Sequence, residues 1–168
     1  MKTPLMPPEE FDRSTVLVAD LDGTFCRTDT LHEGLLALAA NAPKHLLHLP
    51  RWLGQGRANF KARLADQGVI DPAELPLNEA VMETLRMARE AGQKTALVSA
   101  ADHRQVTAVA EATGLFDEAY GSAEGQNLKG ETKAAFLSER YGAKGFDYMG
   151  DSLADVPVWA AARTGHDM

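Results

Sequence analysis

Apolar runs alternate along the chain with amphipathic stretches, and glycines mark many of the boundaries between them. TVLVA, Thr15 to Ala19, is a short β-branched run that stops at Asp20-Leu21-Asp22-Gly23-Thr24. An apolar run bounded by a turn in this way predicts a fully buried parallel strand. Further strands are predicted over Lys94 to Ser99, Glu118 to Gly121 and Phe146 to Met149. The spacing predicts helices over Glu79 to Ala91, Arg104 to Thr113 and Glu131 to Tyr141, each followed by a glycine, and a last helix over Asp155 to Arg163. Strands alternating with helices of about 10 to 15 residues build βαβ units and a parallel α/β sheet flanked by helices.

The stretch from Leu31 to about Leu64 breaks this rhythm, being helical in character with no strand signal. Leu31, Leu35, Leu36 and Leu38 mark one helix, with Asp29 or Thr30 as its N-cap. Pro43 and Pro50 punctuate the chain beyond that helix. A further helix is predicted from about Arg57 to Ala65, stopping near Gly68, and Asp71 to Pro76 reads as a linker. The block is too long for an ordinary crossover, which predicts a small helical cap, residues 27–76, inserted after the first strand. Residues 14–26 and 77–168 would then form the core domain.

A chain of 168 residues fits one domain with such an insert, and is long enough for a hydrophobic core without disulfides or a structural metal. The formal charge of -7 argues against a nucleic-acid partner, because a phosphate backbone would repel it. Cys26 is the single cysteine, so no internal disulfide forms, which fits a reducing compartment. The amino-terminal residues hold no apolar run of signal-peptide type, and no stretch approaches the roughly 20 apolar residues of a spanning helix. The expected location is the cytoplasm. Residues 41–65 carry Lys44, Arg51, Arg57, Lys61 and Arg63 and no acid, interleaved with leucines, Trp52 and Phe60. This is either an ordinary solvated cap face or a surface for anionic lipid or substrate at the inner face of the membrane.

Ligands of open parallel sheets bind at the carboxyl ends of the strands, and polar groups gather there. Asp20 and Asp22 follow the first strand, Ser99 ends the second and Asp151 follows a later one. Lys129 and Lys133 lie near the start of a helix between Ser99 and Asp151. Phosphoryl transfer asks for this kit. A carboxylate can attack phosphorus and divide one hard step into two. Mg²⁺ takes one or two carboxylates with phosphate and water. A hydroxyl and a lysine hold phosphoryl oxygens as charge spreads over them, and a second acid protonates the leaving group and later activates water.

Four segments in order, VADLDGT (Val18 to Thr24), LVSA (Leu97 to Ala100), Lys129 or Lys133, and GDSLAD (Gly150 to Asp155), resemble the motifs of the haloacid dehalogenase (HAD) superfamily. The resemblance covers about residues 15–163. It implies a Mg²⁺-dependent phosphatase with Asp20 as nucleophile and metal ligand, and Asp22 as general acid/base with its carbonyl on the metal. Asp151 would be a further metal ligand, Asp155 would orient the metal shell, and Ser99 with the adjoining Ala100 would bind the phosphoryl group. Lys133 keeps the apolar register of its helix better than Lys129 and is favoured as the phosphate-binding lysine. A phosphotransferase would use the same residues. Asp155 could instead cap a helix, Thr24 could bond the turn or support Asp22, and Arg27 could contact substrate or serve as a hinge. Cys26 reads as a small buried residue, and the five histidines show no metal-ligand spacing beyond the weak pair His45 and His48.

RTDTL after the first motif, PRWL, FKARL, NLKG and FDYMGDS-x-AD-x-PVW resemble one HAD subgroup more narrowly: the cytoplasmic domain fused ahead of a membrane prenyltransferase of the UbiA type. That resemblance implies a phosphorylated small-molecule or lipid-linked substrate such as a prenyl-linked sugar phosphate, or a regulatory docking role beside a membrane domain. Members of the superfamily carry another strand after the helix that succeeds the fourth motif. Thr164 to Met168 holds no apolar run. The expectation is a strand lost from a cut chain or a sheet one strand short, with an unpaired edge beside the first strand.

Overall fold

The computed structural model describes residues 5–67, 71–123 and 126–168. Five parallel strands form one sheet in the order β3-β2-β1-β4-β5: β1 Val16–Ala19, β2 Lys94–Asp102, β3 Glu118–Ser122, β4 Phe146–Gly150 and β5 Gly165–Asp167. The first strand is central, in register with β2 (Ala19 beside Leu97) and β4 (Ala19 beside Met149). Alternation assigns the two faces. Leu17, Ala19, Leu97 and Met149 pack with Val81, Leu85 and Ala88 of α4 (Glu79–Glu90) and with Val106 and Val109 of α5 (His103–Thr113). Val18, Ala96, Val98, Phe146 and Tyr148 pack with Ala134 and Leu137 of α6 (Glu131–Tyr141) and with Val158 of α7 (Val156–Ala161).

Two expectations are corrected. The carboxyl terminus does form a strand, β5, paired with β4, so β4, not β1, borders the extra position and β1 has no free edge. A three-residue strand needs no apolar run; its backbone bonds to β4 suffice, with Tyr148 N–H donating to Thr164 O at 2.9 Å and Met168 N–H to Gly150 O at 3.0 Å. The second strand runs on from Ser99 to Asp102, through a register shift between Val98 and Asp102. This adds Ala100, Ala101 and Asp102 to the strand expected to end at Ser99.

Between β1 and α4 stand α1 (Thr30–Asn41), a 3₁₀ segment (Pro43–His48), α2 (Leu49–Gly54) and α3 (Arg57–Gln67). Asp29, not Thr30, caps α1 by accepting from Leu31 N–H at 2.7 Å. The expected stop at Gly68 lies outside the described residues. Leu38, Phe60 and Leu64 form a small core of their own, with Leu35, Leu46 and Trp52 against it. The expected linker contains one 3₁₀ turn, Pro72–Glu74. Arg104 of α5 ties α3 down through Asp66 and the Ala62 carbonyl.

At the opposite, amino-terminal end of the sheet, Asp147 is 0 % exposed. It accepts from Gln93 Nε2 (2.8 Å), Thr15 Oγ1 (3.1 Å), Arg163 Nη2 (2.6 Å) and Thr164 Oγ1 (2.6 Å). Burial pushes its carboxyl upward, but the bonds from Arg163, Thr164 and Gln93 outweigh that and hold it below the usual carboxylate range. The stability it contributes is therefore full above the unfolded-state pKa of about 3.9 and is lost as pH falls through the lower folded value. Asp147→Ala is expected to cost about 3 kcal/mol in urea unfolding at neutral pH, with the gap from wild type closing below about pH 3.9. A loss under about 1 kcal/mol would remove Asp147 from this role.

Candidate active site

β1 leads into Asp20, whose N–H donates to Met149 O of the neighbouring strand at 2.9 Å. The chain then folds back on itself. Phe25 N–H donates to Asp20 O (3.1 Å) and Cys26 N–H to Leu21 O (2.7 Å). Gly23 makes this turn with φ +80°, a left-handed conformation that suits glycine. A Cβ there would lie 1.8 Å from Asp151 Oδ2. Glycine thus allows the loops after β1 and β4 to touch. Gly150 does the same for the fourth motif, since its Cβ would fall 2.7 Å from Asp155 Oδ2.

These loops floor a cavity of about 570 Å³ at the carboxyl ends of the strands, lined by Asp20, Asp22, Ser99, Lys133, Asp151 and Asp155. Lys133, 3 % exposed, donates to Asp20 Oδ1 at 2.9 Å and to the Tyr148 hydroxyl at 2.8 Å, and stands 3.5 Å from Asp155 Oδ1. Tyr148 donates its own proton to Asp155 Oδ1 at 2.8 Å. Oxygens of Asp20, Asp151 and Asp155 all lie within 4.8 Å of one another. Burial drives the Asp20 carboxyl up, Lys133 opposes it, and Asp155 adds to the rise. Asp151 is raised by burial and then by Asp20 and Asp155. Two buried charges that close repel by on the order of 3 kcal/mol at an effective dielectric constant of about 20, and one ammonium cannot balance three carboxylates.

A divalent cation would balance them. The donors are oxygen only, which suits Mg²⁺ and not a thiophilic metal. Octahedral Mg²⁺ with bonds of about 2.1 Å places ligands up to about 4.2 Å apart, so the spacing fits with small shifts.

Asp22 is raised to about 6, chiefly by burial; the Thr30 N–H bond opposes this and Asp20 adds to it. Its Oδ1 accepts that N–H at 2.7 Å, which links the turn to the first residue of α1. Ser99 is fully buried and accepts from Ala101 N–H at 3.1 Å, leaving its own proton free to donate into the cavity. The Ala100 carbonyl on the cavity wall is taken by Lys61 Nζ (2.6 Å) and Ser122 Oγ (2.9 Å). Arg27 and Lys129 are exposed on the cavity lining, and Lys133, not Lys129, bonds Asp20. Asp155 serves two ends at once: Oδ2 accepts from Ser152 N–H at 3.3 Å while Oδ1 faces Lys133 and Tyr148. Thr24 performs neither expected task. Past the Gly23 turn it enters the core, 0 % exposed, and its hydroxyl finds no partner among the described residues. Cys26 is buried in the core, with Sγ 3.4 Å from Thr28 Oγ1.

Two side chains escape the motif reading. Tyr148 carries a usable signal: a buried aromatic with a hydroxyl needs a polar partner, and its strand ends at the fourth motif. Lys61 reads in the sequence as one charge of a basic face; nothing in the local pattern shows that α3 turns it inward. Gly23→Ala is expected to lower Mg²⁺ affinity by tenfold or more in calorimetric titration, because the added methyl displaces Asp151. Unchanged affinity would mean that Asp151 does not hold the ion.

Known proteins resemble this chain in sequence and in fold. A protein of Sinorhizobium fredii, uncharacterized protein y4nM, is 41% identical over 153 residues, 90% of this chain and 29% of that protein. The chain thus spans less than a third of that relative's length. An HAD family hydrolase from Salmonella enterica serovar Typhi shares the fold with a TM-score of 0.62 at 16% identity, over 92% of this chain and 62% of that one. A phosphoserine phosphatase, as a phospho-aspartyl intermediate analogue, does so with a TM-score of 0.61 at 16% identity, over 92% and 86%. The family model for haloacid dehalogenase-like hydrolases matches residues 17–159, and the chain belongs to that family.

Proposed function

We propose that the chain is a Mg²⁺-dependent phosphomonoester hydrolase that works through an aspartyl-phosphate on Asp20. The observation that carries this reading is the bond from buried Lys133 to Asp20 Oδ1 inside the three-carboxylate cluster. The free Asp20 oxygen attacks phosphorus, the ester P–O bond breaks, and Asp22 gives its proton to the departing oxygen. A carboxyl raised to about 6 can hold a proton near neutral pH and take one back. In the second step Asp22 draws the proton from a water, which attacks phosphorus and frees phosphate and Asp20. Lys133 and the Ser99 hydroxyl hold the equatorial oxygens throughout. Mg²⁺ held by Asp20, Asp151, the Asp22 carbonyl and, through its shell, Asp155 would neutralise charge on the phosphoryl group. The analogue form of the phosphoserine phosphatase supports the same covalent route. Residues 27–76 serve as a cap over residues 14–26 and 77–168.

Mg²⁺-dependent phosphate release from a panel of phosphomonoesters tests the reading. Asp20→Asn should abolish it, and Tyr148→Phe should lower kcat about tenfold with KM within about twofold, because Tyr148 steers Lys133 without touching substrate. Release that survives Asp20→Asn would refute the nucleophile. An added alcohol acceptor that captures the phosphoryl group would turn the hydrolase into a phosphotransferase.

The share of the Sinorhizobium relative that the chain covers favours a second reading, one domain of a longer protein; the sequence resemblance alone would make its neighbour a UbiA-type membrane prenyltransferase, with the domain acting on a prenyl-linked phosphate or regulating that neighbour. No helix among the described residues is long and apolar enough to cross a membrane. An isolated domain that binds Mg²⁺ yet needs the full-length protein for turnover is the result expected of that reading. Equal turnover by domain and full-length protein on soluble esters is the result against it.

A further inference from the structure

The cavity holds more positive charge than one phosphoryl group uses. Besides Lys133 it is lined by Arg27, Arg57, Lys61 and Lys129, none in an ion pair among the described residues. The acids on the same wall are already engaged: Asp22 by Thr30 N–H, Asp29 by Leu31 N–H and Asp102 by Arg104. Asp20, Asp22, Asp29, Asp102, Asp151 and Asp155 line the same cavity, so it is the lack of ion-pair partners for these four cations among the described residues, not a net positive charge, that needs an explanation.

Lys61 is the most telling of the four. It is half-buried on α3, and its Nζ donates to Ala100 O at 2.6 Å, one residue past Ser99. An ammonium has three donors, and a carbonyl takes one, so two stay open at the cavity. Burial lowers its pKa, and Asp22 is the foremost charge opposing that, so the amine lies within the field of Asp22. Since Asp22 faces the departing oxygen in the proposed reaction, Lys61 flanks the leaving group. A half-buried cation without a carboxylate partner is costly, and a ligand anion would offset that cost. Beside it Leu53, Phe60 and Leu64 give the same wall an apolar stretch. A volume of about 570 Å³ falls in the range of roughly 300 to 1,000 Å³ that holds a mid-sized organic ligand.

We propose that Lys61, with Arg57 and Lys129, forms a second anion subsite, and that the substrate is a phosphomonoester whose leaving group carries a carboxylate or second phosphate on an apolar frame. This rests on the phosphatase reading for where the first phosphoryl group sits. It takes up the substrate alternative for the basic residues of 41–65, of which Arg57 and Lys61 line the cavity.

Non-hydrolysable probes test it without turnover. They are para-(phosphonomethyl)phenylacetate, its neutral amide, and para-xylylene bisphosphonate, each titrated calorimetrically into the Mg²⁺-loaded protein. At least one second-anion probe should bind about tenfold tighter than the amide; which of the two does so identifies the anion. Lys61→Met should bring the ratio below about twofold, and the exposed Lys129→Met, which spares the fold, should reduce it in part. Equal affinity for all three probes, or no binding of any, overturns the subsite. Selective binding without hydrolysis of the matching esters would overturn only the phosphatase reading, and hydrolysis with no preference for a second anion would overturn only the subsite.

Discussion

One ammonium among three carboxylates sets the terms for the whole molecule. Lys133 sits in the protein interior against Asp20 and Asp155, and burial of such charges is tolerable only when every one is met. Asp20 must come from a strand end, Lys133 from a helix and Asp155 from the loop after β4. The strand order β3-β2-β1-β4-β5 supplies this by setting β1 directly beside β4. Gly23 and Gly150 let the loops close to contact, and Tyr148 shares Asp155 with Lys133, keeping the lysine directed at Asp20. The carboxylates still outnumber the ammonium, and that imbalance suits the floor to a cation.

The helices between β1 and α4 answer a different demand. Among the described residues their own core has three buried side chains, Leu38, Phe60 and Leu64, which is little for an independent unit. They lean on the sheet instead, through the Thr30 bond to Asp22, the Lys61 bond to Ala100 and the Arg104 bonds to α3. Two of these three ties reach residues of the cavity wall. The elements that stabilise the helical block are therefore the same ones that would sense what the cavity contains.

Much of this was legible in the sequence. TVLVA reads as a buried strand, and an Asp-x-Asp-Gly turn after it places both carboxylates at the strand's carboxyl end. Lys133 could be preferred over Lys129 because it kept the apolar register of α6, and it is Lys133 that bonds Asp20. What stayed hidden depended on three-dimensional neighbours. β5 is held by backbone bonds to β4, which leave no apolar signature. Thr24 looked polar and available, yet the turn buries it. The inward aim of Lys61 arises from how α3 docks, which no local periodicity encodes. The narrower resemblance to a prenyltransferase-linked domain rests on segments that include β4 itself, and the fold does not test the link to a membrane domain.

The central claim is that Asp20 takes the phosphoryl group, and trapping is its most direct test. Protein quenched in acid during turnover of its best ester and reduced with borohydride would convert an aspartyl-phosphate to homoserine, located by peptide mass spectrometry. Homoserine at position 20, dependent on substrate and Mg²⁺, is the predicted result. Homoserine at position 22, or none during sustained turnover, would contradict the account.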